Sequence, residues 1–457
     1  HRVDRRQRQM CIRDRDNLQS FSQLTPSVDF KKTINTEPVR VETAAKQVQL
    51  DVDAKNKTYS AGQTISFELP SNTNVMADME RSFVVFDYLI SDNATGGNKT
   101  LTIADGGQSF FQSVEVFFNN VSVHKTDEYN VLTANLNSVN LNTEARRALE
   151  TYGGYGQSTR GNTTSYSTRT VAVPLSLDPV FSKTSRLLPL FLLSNVEVRI
   201  KLSDAHMVLV KGADGGQPTA AGSTYQISNP VMRIFGSQPN DVDKNVISQK
   251  FIKEGLMIPT HAFEHYSCNW AGNVNASVSI DTRKQSVKSV YVVCRKNDNL
   301  NSSKLAYVAA TGTPDGTFDV ALTGGNKLCS TDGRIKQYYF QIGSERYPSN
   351  YEINTREAAA VELHNAHSGS ILGYRMVPEY WGSTTGNSSF FVGKDFETSH
   401  SGNLIAGLAN ASKMKADIKL RITDIYGSVV NDLRVDAWVL YDKVISVSPR
   451  GGVKVIE

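Results

Sequence analysis

Two stretches of this chain, 220 positions apart, write nearly the same strand: "VRIKLSD" at Val198–Asp204 and "IKLRITD" at Ile418–Asp424. Apolar and polar residues alternate in both, the period-two pattern of a strand with one buried and one open face. The pattern recurs at "SFVVFDYLI" (Ser82–Ile90), "SVEVFF" (Ser113–Phe118), "TVAVPLSL" (Thr170–Leu177), "VKSVYVVC" (Val287–Cys294), "KQYYFQI" (Lys336–Ile342) and "VDAWVLYDKVISV" (Val435–Val447). Clusters of Gly, Asn, Ser and Thr separate these runs. From about Val48 onward the chain therefore reads as all-β, built of many short antiparallel strands.

The order of the strands repeats. "VEVFF" alternates Val114, Val116 and Phe118, turns at Asn119–Asn120 and soon enters a helix; "YYFQI" alternates Tyr338, Phe340 and Ile342, turns at Gly343–Ser344 and does the same, 224 residues later. "SFVVF" at Ser82 and "SVYVV" at Ser289 precede these hairpins. "YQISNPVMRIFG" at Tyr225 and "LRVDAWVLYDKVISV" at Leu433 close the halves. Two similar β-domains in tandem are predicted, over residues 48–236 and 251–448, joined by a polar linker at 237–250. An arm at 16–47 precedes them and a tail at 449–457 follows.

Helices are few. Thr126–Asn140 places Tyr129, Leu132, Leu136 and Val139 on one stripe, with Thr126 as the expected N-cap. A second helical piece ends at Gly153, the expected C-cap. Asn354–His367 has Asn354 and Glu357 at capping-box spacing.

Charge narrows the function classes. The net charge of +4 comes from 49 basic and 45 acidic residues, and residues 1–15 hold six arginines and two aspartates. Without them the chain has 43 of each sign, so the body shows no basic excess for a phosphate backbone. The leader's "MCIRDR" resembles the translated end of a sequencing adaptor, and residues 1–15 are expected to be non-native. The longest apolar run, "LLPLFLL" at Leu187–Leu193, is far too short to span a bilayer. Outside the leader, Cys268, Cys294 and Cys329 are scattered and odd in number, which fits folding in a reducing compartment.

Catalytic patterns are thin. "HAFEH" at His261–His265 matches the H-x-x-E-H zinc motif, which works only where positions i and i+4 lie one helical turn apart. Pro259 and the aromatic, β-branched surroundings suit a strand, on which the two histidines stand ~13 Å apart and cannot share one zinc. The Gly-rich pieces at Gly212–Pro218 and Ser383–Ser389 read as loop tips, and "YWG" at Tyr380–Gly382 as a loop anchor. No catalytic residue, cofactor site or metal site is assigned, and no enzyme activity is expected.

Tandem eight-stranded domains of about 200 residues, each with a helix after its second hairpin strand, resemble jelly rolls. "VPLSLDPVFSKTSRLLPLFLLSNVEVRIKL" (Val173–Leu202), "YYFQIGSERYPSNYEI" (Tyr338–Ile353) and "WVLYDKVISVSPRGGVKV" (Trp438–Val455) are similar to segments of double jelly-roll major capsid proteins. That lineage spans adenovirus hexon, virophages, polinton-like viruses and tailless membrane-containing phages; hexon's long tower insertions are missing here. The resemblance implies a homotrimer whose six β-domains form a pseudo-hexagonal capsomer, tiling an icosahedral shell in a virion assembled inside the host cell. The implied partners are further copies of the chain, neighbouring capsomers, and penton and minor capsid proteins. Any contact with nucleic acid or an internal membrane is expected through the N-terminal arm alone. Loops at Gly156–Thr170, Val210–Ser223 and Trp381–Lys413 are expected to form the outer crown. The competing readings are a tandem jelly-roll carbohydrate-binding or glycan-degrading protein and a minor capsid or spike protein.

Overall fold

The computed structural model describes residues 46–71, 73–92, 99–140, 151–154, 160–161, 167–175, 177, 180–181, 187–211, 220–270, 275–282, 284, 286–300, 302–303, 305–307, 319–321, 327–328, 335–366, 391–397, 418–425 and 433–457. The leader, nearly all of the arm, the "YWG" stretch and both Gly-rich pieces lie outside them.

Among the described residues, eight strands form the frame of the first sandwich: β1 (Lys46–Asp53), β2 (Thr64–Leu69), β3 (Met76–Ser91), β4 (Phe111–Phe118), β5 (Val121–Asp127), β6 (Arg169–Pro174), β7 (Val196–Leu202) and β8 (Thr224–Gln238), with the short strands Thr58–Ser60 and Leu188–Pro189 added at its edges. Eight more build the second: β9 (Leu256–Trp270), β10 (Ala276–Ile280), β11 (Val287–Lys296), β12 (Ile335–Ile342), β13 (Glu345–Tyr347), β14 (Phe391–Asp395), β15 (Ile418–Ile425) and β16 (Leu433–Val447). The first half pairs them as β1-β8-β3-β6 and β2-β7-β4-β5, the second as β9-β16-β11-β14 and β10-β15-β12-β13, all antiparallel. Every strand n has its counterpart at n + 8. The fold is two jelly rolls threaded in the same order.

The alternation seen in the sequence explains each core. Val84, Phe86 and Tyr88 of β3 face Val114, Val116 and Phe118 of β4 across the first sandwich. Val290, Val292 and Cys294 of β11 face Tyr338, Phe340 and Ile342 of β12 across the second. Each such apolar side chain contributes on the order of 1.5–3 kcal/mol by leaving water. Cys294 packs there as a small hydrophobe.

Register refines the duplication. Val198 lies opposite Val116 and Phe67, and its structural counterpart is Leu420, opposite Phe340 and Val278. These counterparts are 222 residues apart, so the sequence match at 220 is slipped by two. A slip of two keeps every side chain on its own face.

Other expectations are corrected. Thr126 lies in β5 and caps nothing; helix α1 runs Tyr129–Asn140. The second helical piece does end at Gly153, and the left-handed residue that closes it is the next one, Gly154 (φ +69°). The polar linker carries helix α2 (Asp241–Glu254), begun by the Asn240 side chain accepting from the Asp243 N–H at 2.7 Å. Helix α3 (Arg356–Ala366) is capped by Thr355, whose Oγ1 accepts from the Ala358 N–H at 3.1 Å, not by Asn354. The stretch Trp381–Lys413, read as one loop, contains β14, and the expected tail contains a strand, Val453–Ile456, paired to β16. Prolines sit where a missing N–H does least harm: Pro259 is on edge strand β9, and Pro230 is in a bulge of β8 beside Asn229 (φ +50°).

A small sheet crosses between the halves. Leu209–Lys211 of the first half pairs in parallel with Leu305–Tyr307 of the second, and Lys99–Ile103 and Asp319–Ala321 flank them. Among the described residues, no helix is long and apolar enough to cross a membrane.

Candidate functional site: the junction between the two sandwiches

Alternation on β11 and β16 sends one set of side chains into the second core and the other set out of it. The outward set is Tyr291, Val293 and Arg295 on β11 and Asp436, Trp438 and Leu440 on β16. An outward face of a sandwich usually meets water, yet all but half-buried Leu440 are buried here. Val131, Leu132, Ala134 and Leu136 of α1 cover them from the first sandwich, in one cluster with Tyr291, Val293, Phe391 and Trp438. Leu328, with Leu363 and Ala366 of α3, completes that cluster. Gly393 on β14 lets α3 lie close: a Cβ there would stand 2.9 Å from the Leu363 Cδ1.

Polar bonds fix the register of this contact. The Trp438 indole N–H donates to the Asp127 carbonyl at 3.2 Å, and the Asn135 amide donates to the Leu328 carbonyl at 3.0 Å. Asn119, at the tip of the β4–β5 hairpin, donates from its side-chain amide to the Gly451 carbonyl at 2.9 Å. Glu128, held with φ +50°, reaches Arg434 at 3.2 Å and Arg295 at 3.5 Å. Such a backbone costs a non-glycine residue about 1–2 kcal/mol, and here it turns the carboxylate toward two guanidinium groups.

At the centre lies Asp436. One of its oxygens accepts from Arg295 Nε and Nη2 at 2.9 and 2.7 Å; the other accepts from Arg434 Nε and His265 Nε2, each at 2.9 Å. Burial opposes its charge, but Arg295, His265 and Arg434 outweigh that and hold the carboxyl below the usual range. A buried charge is tolerable when all its lone pairs are met this way. Nearby, burial and the neighbouring Lys443 ammonium, 3.4 Å from Nδ1, keep His124 well below its ordinary pKa.

The H-x-x-E-H motif takes its place in this frame. His261 and His265 lie on strand β9, and each imidazole meets an aspartate of β16: Asp442 at 3.0 Å and Asp436 at 2.9 Å. The helical zinc geometry is not formed, and among the described residues no group of three or more His, Cys, Asp or Glu could hold a metal. An open cleft of about 820 Å³ borders the junction, and its walls mix Glu115, Asp127 and Glu197 with Lys125, Arg199 and Arg434. Such a wall has no single sign of charge. The remaining junction residues carried no sequence signal, because Arg295 and Asp436 look like ordinary solvent-facing positions of alternating strands.

No protein-family profile matches the chain, and no curated protein matches it either. Solved structures do. The PBCV-1 virus capsid protein aligns with a TM-score of 0.60 at 12% identity, over 90% of this chain and 97% of that one. The Faustovirus major capsid protein aligns at 0.58 and 10%, over 92% and 94%. The mavirus major capsid protein gives 0.52 and 7%, over 92% and 91%. At these identities the likeness is one of fold, and it is the fold the strand pairing describes: this chain has the double jelly-roll architecture of those viral major capsid proteins.

Proposed function

We propose that this chain is the major capsid protein of an icosahedral virus, a structural protein of the virion rather than an enzyme. The carrying observation is the strand-for-strand repetition of one sandwich, locked to its twin through the Asp436 junction. A closed trimer supplies only threefold symmetry. Two equivalent sandwiches per chain turn it into a tile with six similar sides, and tiles of that outline pack into flat facets. The fold shared with the PBCV-1, Faustovirus and mavirus proteins supports the same reading.

The partners follow from this. Copies of the chain form the trimer, trimers meet neighbouring trimers, and penton and minor capsid proteins fill the places a hexagonal tile cannot. The sandwich ends carry the connecting loops, of which the longer ones form the outer crown.

Sedimentation of the purified chain, joined with negative-stain imaging, tests the proposal. Three-copy particles of hexagonal outline are expected at micromolar concentration. A stable monomer of featureless shape overturns it.

A further inference from the structure

Each sandwich has two outward sheet faces. On β2, β4 and β7 the outward residues include Ser66, Glu68, Glu115, Glu197, Arg199 and Lys201; on β12 and β15 they include Gln337, Gln341, Lys419 and Arg421. Those two faces are mainly polar, and the aromatic rings on them, Phe117 and Tyr339, are each covered by a guanidinium, Arg199 at 4.2 Å and Arg346 at 4.0 Å. The outward face of β9-β16-β11-β14 is the one buried in the junction. The fourth, on β1-β8-β3-β6, differs from all of these.

Its centre is apolar. Phe83 and Val85 of β3 stand opposite Arg233 and Val231 of β8, with Phe235 beside them, its ring 5.8 Å from that of Phe83. These apolar side chains are half-buried, and Leu89 is 36% exposed. Charge surrounds them: the Arg81 guanidinium lies 5.8 Å from the Phe235 ring, and Arg233 grips Asp51 through two bonds of 2.9 and 3.0 Å. An apolar centre with a charged rim is the anatomy of a protein–protein contact.

The repeat says what covers it. By position in the fold this face is the counterpart of the one that α1 and the end of β5 cover inside the chain. The second sandwich has its own version of that covering element, β13 and α3, and it carries two large exposed apolar side chains, Tyr351 (49%) and Val361 (54%). The internal contact is heterologous, one kind of surface against another, so each chain is left with one unused surface of each kind. We infer that residues 345–366 of a second copy dock on the Phe83–Val85–Phe235 face, repeating between chains the contact already made within one. The inference rests on the shell-protein reading and names the surface by which its trimer closes.

Wild-type full-length chain, Val361→Glu and Val85→Glu are compared by sedimentation velocity over a concentration series, with circular dichroism as the folding control. Val361 projects from an exposed helix position, so its variant keeps its fold even where Val85→Glu does not. The concentration at half-dissociation is expected to rise at least tenfold in Val361→Glu. The pair Val85→Cys with Val361→Cys, oxidised with copper–phenanthroline, is expected to link separate chains, while either single variant does not. A wild-type trimer that both glutamate variants leave unchanged, with no cross-link from the pair, overturns this surface and leaves the trimer standing. A wild-type chain that stays monomeric removes the trimer itself. If deleting residues 1–45 makes the thiol of Val85→Cys newly reactive in the monomer, the arm covers this face and the inference is overturned.

Discussion

Arg295 and Asp436, 141 positions apart, form an ion pair with neither side chain exposed to solvent, Nη2 lying 2.7 Å from Oδ2. Truncating one partner leaves the other charged and buried. Asp436→Ala is expected to lower stability by about 3–5 kcal/mol, and an Arg295→Met/Asp436→Leu double variant by much less. Urea denaturation of the three proteins checks this. Equal losses in single and double variants count against the pair as the cause.

His124 gives the junction a dependence on pH. Burial and Lys443 hold its folded pKa well below the ordinary imidazole value of about 6.5, so below that pH the unfolded chain binds a proton that the native chain refuses. Stability therefore falls as pH drops from 6.5, by up to about 1.4 kcal/mol per pH unit for one proton. In His124→Gln the slope between pH 6.5 and 5 is expected to flatten. An unchanged slope assigns it to other groups.

Carboxylates act in a lower window. Arg199, with Ser66 and Lys55, holds Glu197 down to about 2, against a burial effect that raises it. Burial likewise raises Glu457, but Lys284 and Lys443 outweigh it and bring it also to about 2. Depressed carboxylates stabilise above their unfolded value of 4.5, and the contribution disappears as pH falls toward 2. The stability difference between wild type and Glu197→Gln is expected to stay level from pH 7 to 5 and vanish by about pH 2, read as urea midpoints.

Trp438 reports on the joint. Its buried ring touches residues of both halves, and its indole N–H bonds the Asp127 carbonyl. Trp438→Ala is expected to cost about 3–5 kcal/mol through the cavity it leaves. Trp438→Phe keeps most of the packing and is expected to cost about 1–3 kcal/mol for the orphaned carbonyl. Thermal unfolding with both variants separates the two effects.

Gly393 sets how closely α3 can lie. Beyond Leu363, an added Cβ would stand 3.1 Å from the Ala366 Cβ and 3.2 Å from the Tyr291 ring. Gly393→Val is expected to cost about 1–3 kcal/mol by pushing the helix outward, measured as a lowered thermal midpoint and faster proteolysis near Ala366.

Alternation made the long strands legible because one face of each is a core and the other is not. β13 showed only as the return strand of the Gly343–Ser344 hairpin, and β14 escaped: "FVGKD" is too short for a period to show and sits among loop-like residues. Helix α2 reads as a linker by its polarity alone, although Asn240, Asp241, Asp243 and Gly255 together spell a capped helix. The junction was hidden for a different reason. "VDAWV" puts Asp436 on the face opposite the second core, and nothing local says that another sandwich lies beyond it. That information lives in Arg295, Glu128 and Trp438, brought together only by the fold.

The bond from Asn119 to Gly451 spans 332 positions, and it sets a timetable for manufacture. The first sandwich is complete only at Gln238, and Trp438, the last buried residue to cover its α1 flank, follows 200 positions later. At a ribosomal pace of ~5–20 residues per second that leaves roughly 10 to 40 seconds between them. Through that interval Val131, Leu132 and Leu136 stand bare on a finished β-unit. A chain that has folded only its first half thus carries an apolar patch that its second half has yet to cover, the kind of transient surface that invites aggregation during synthesis.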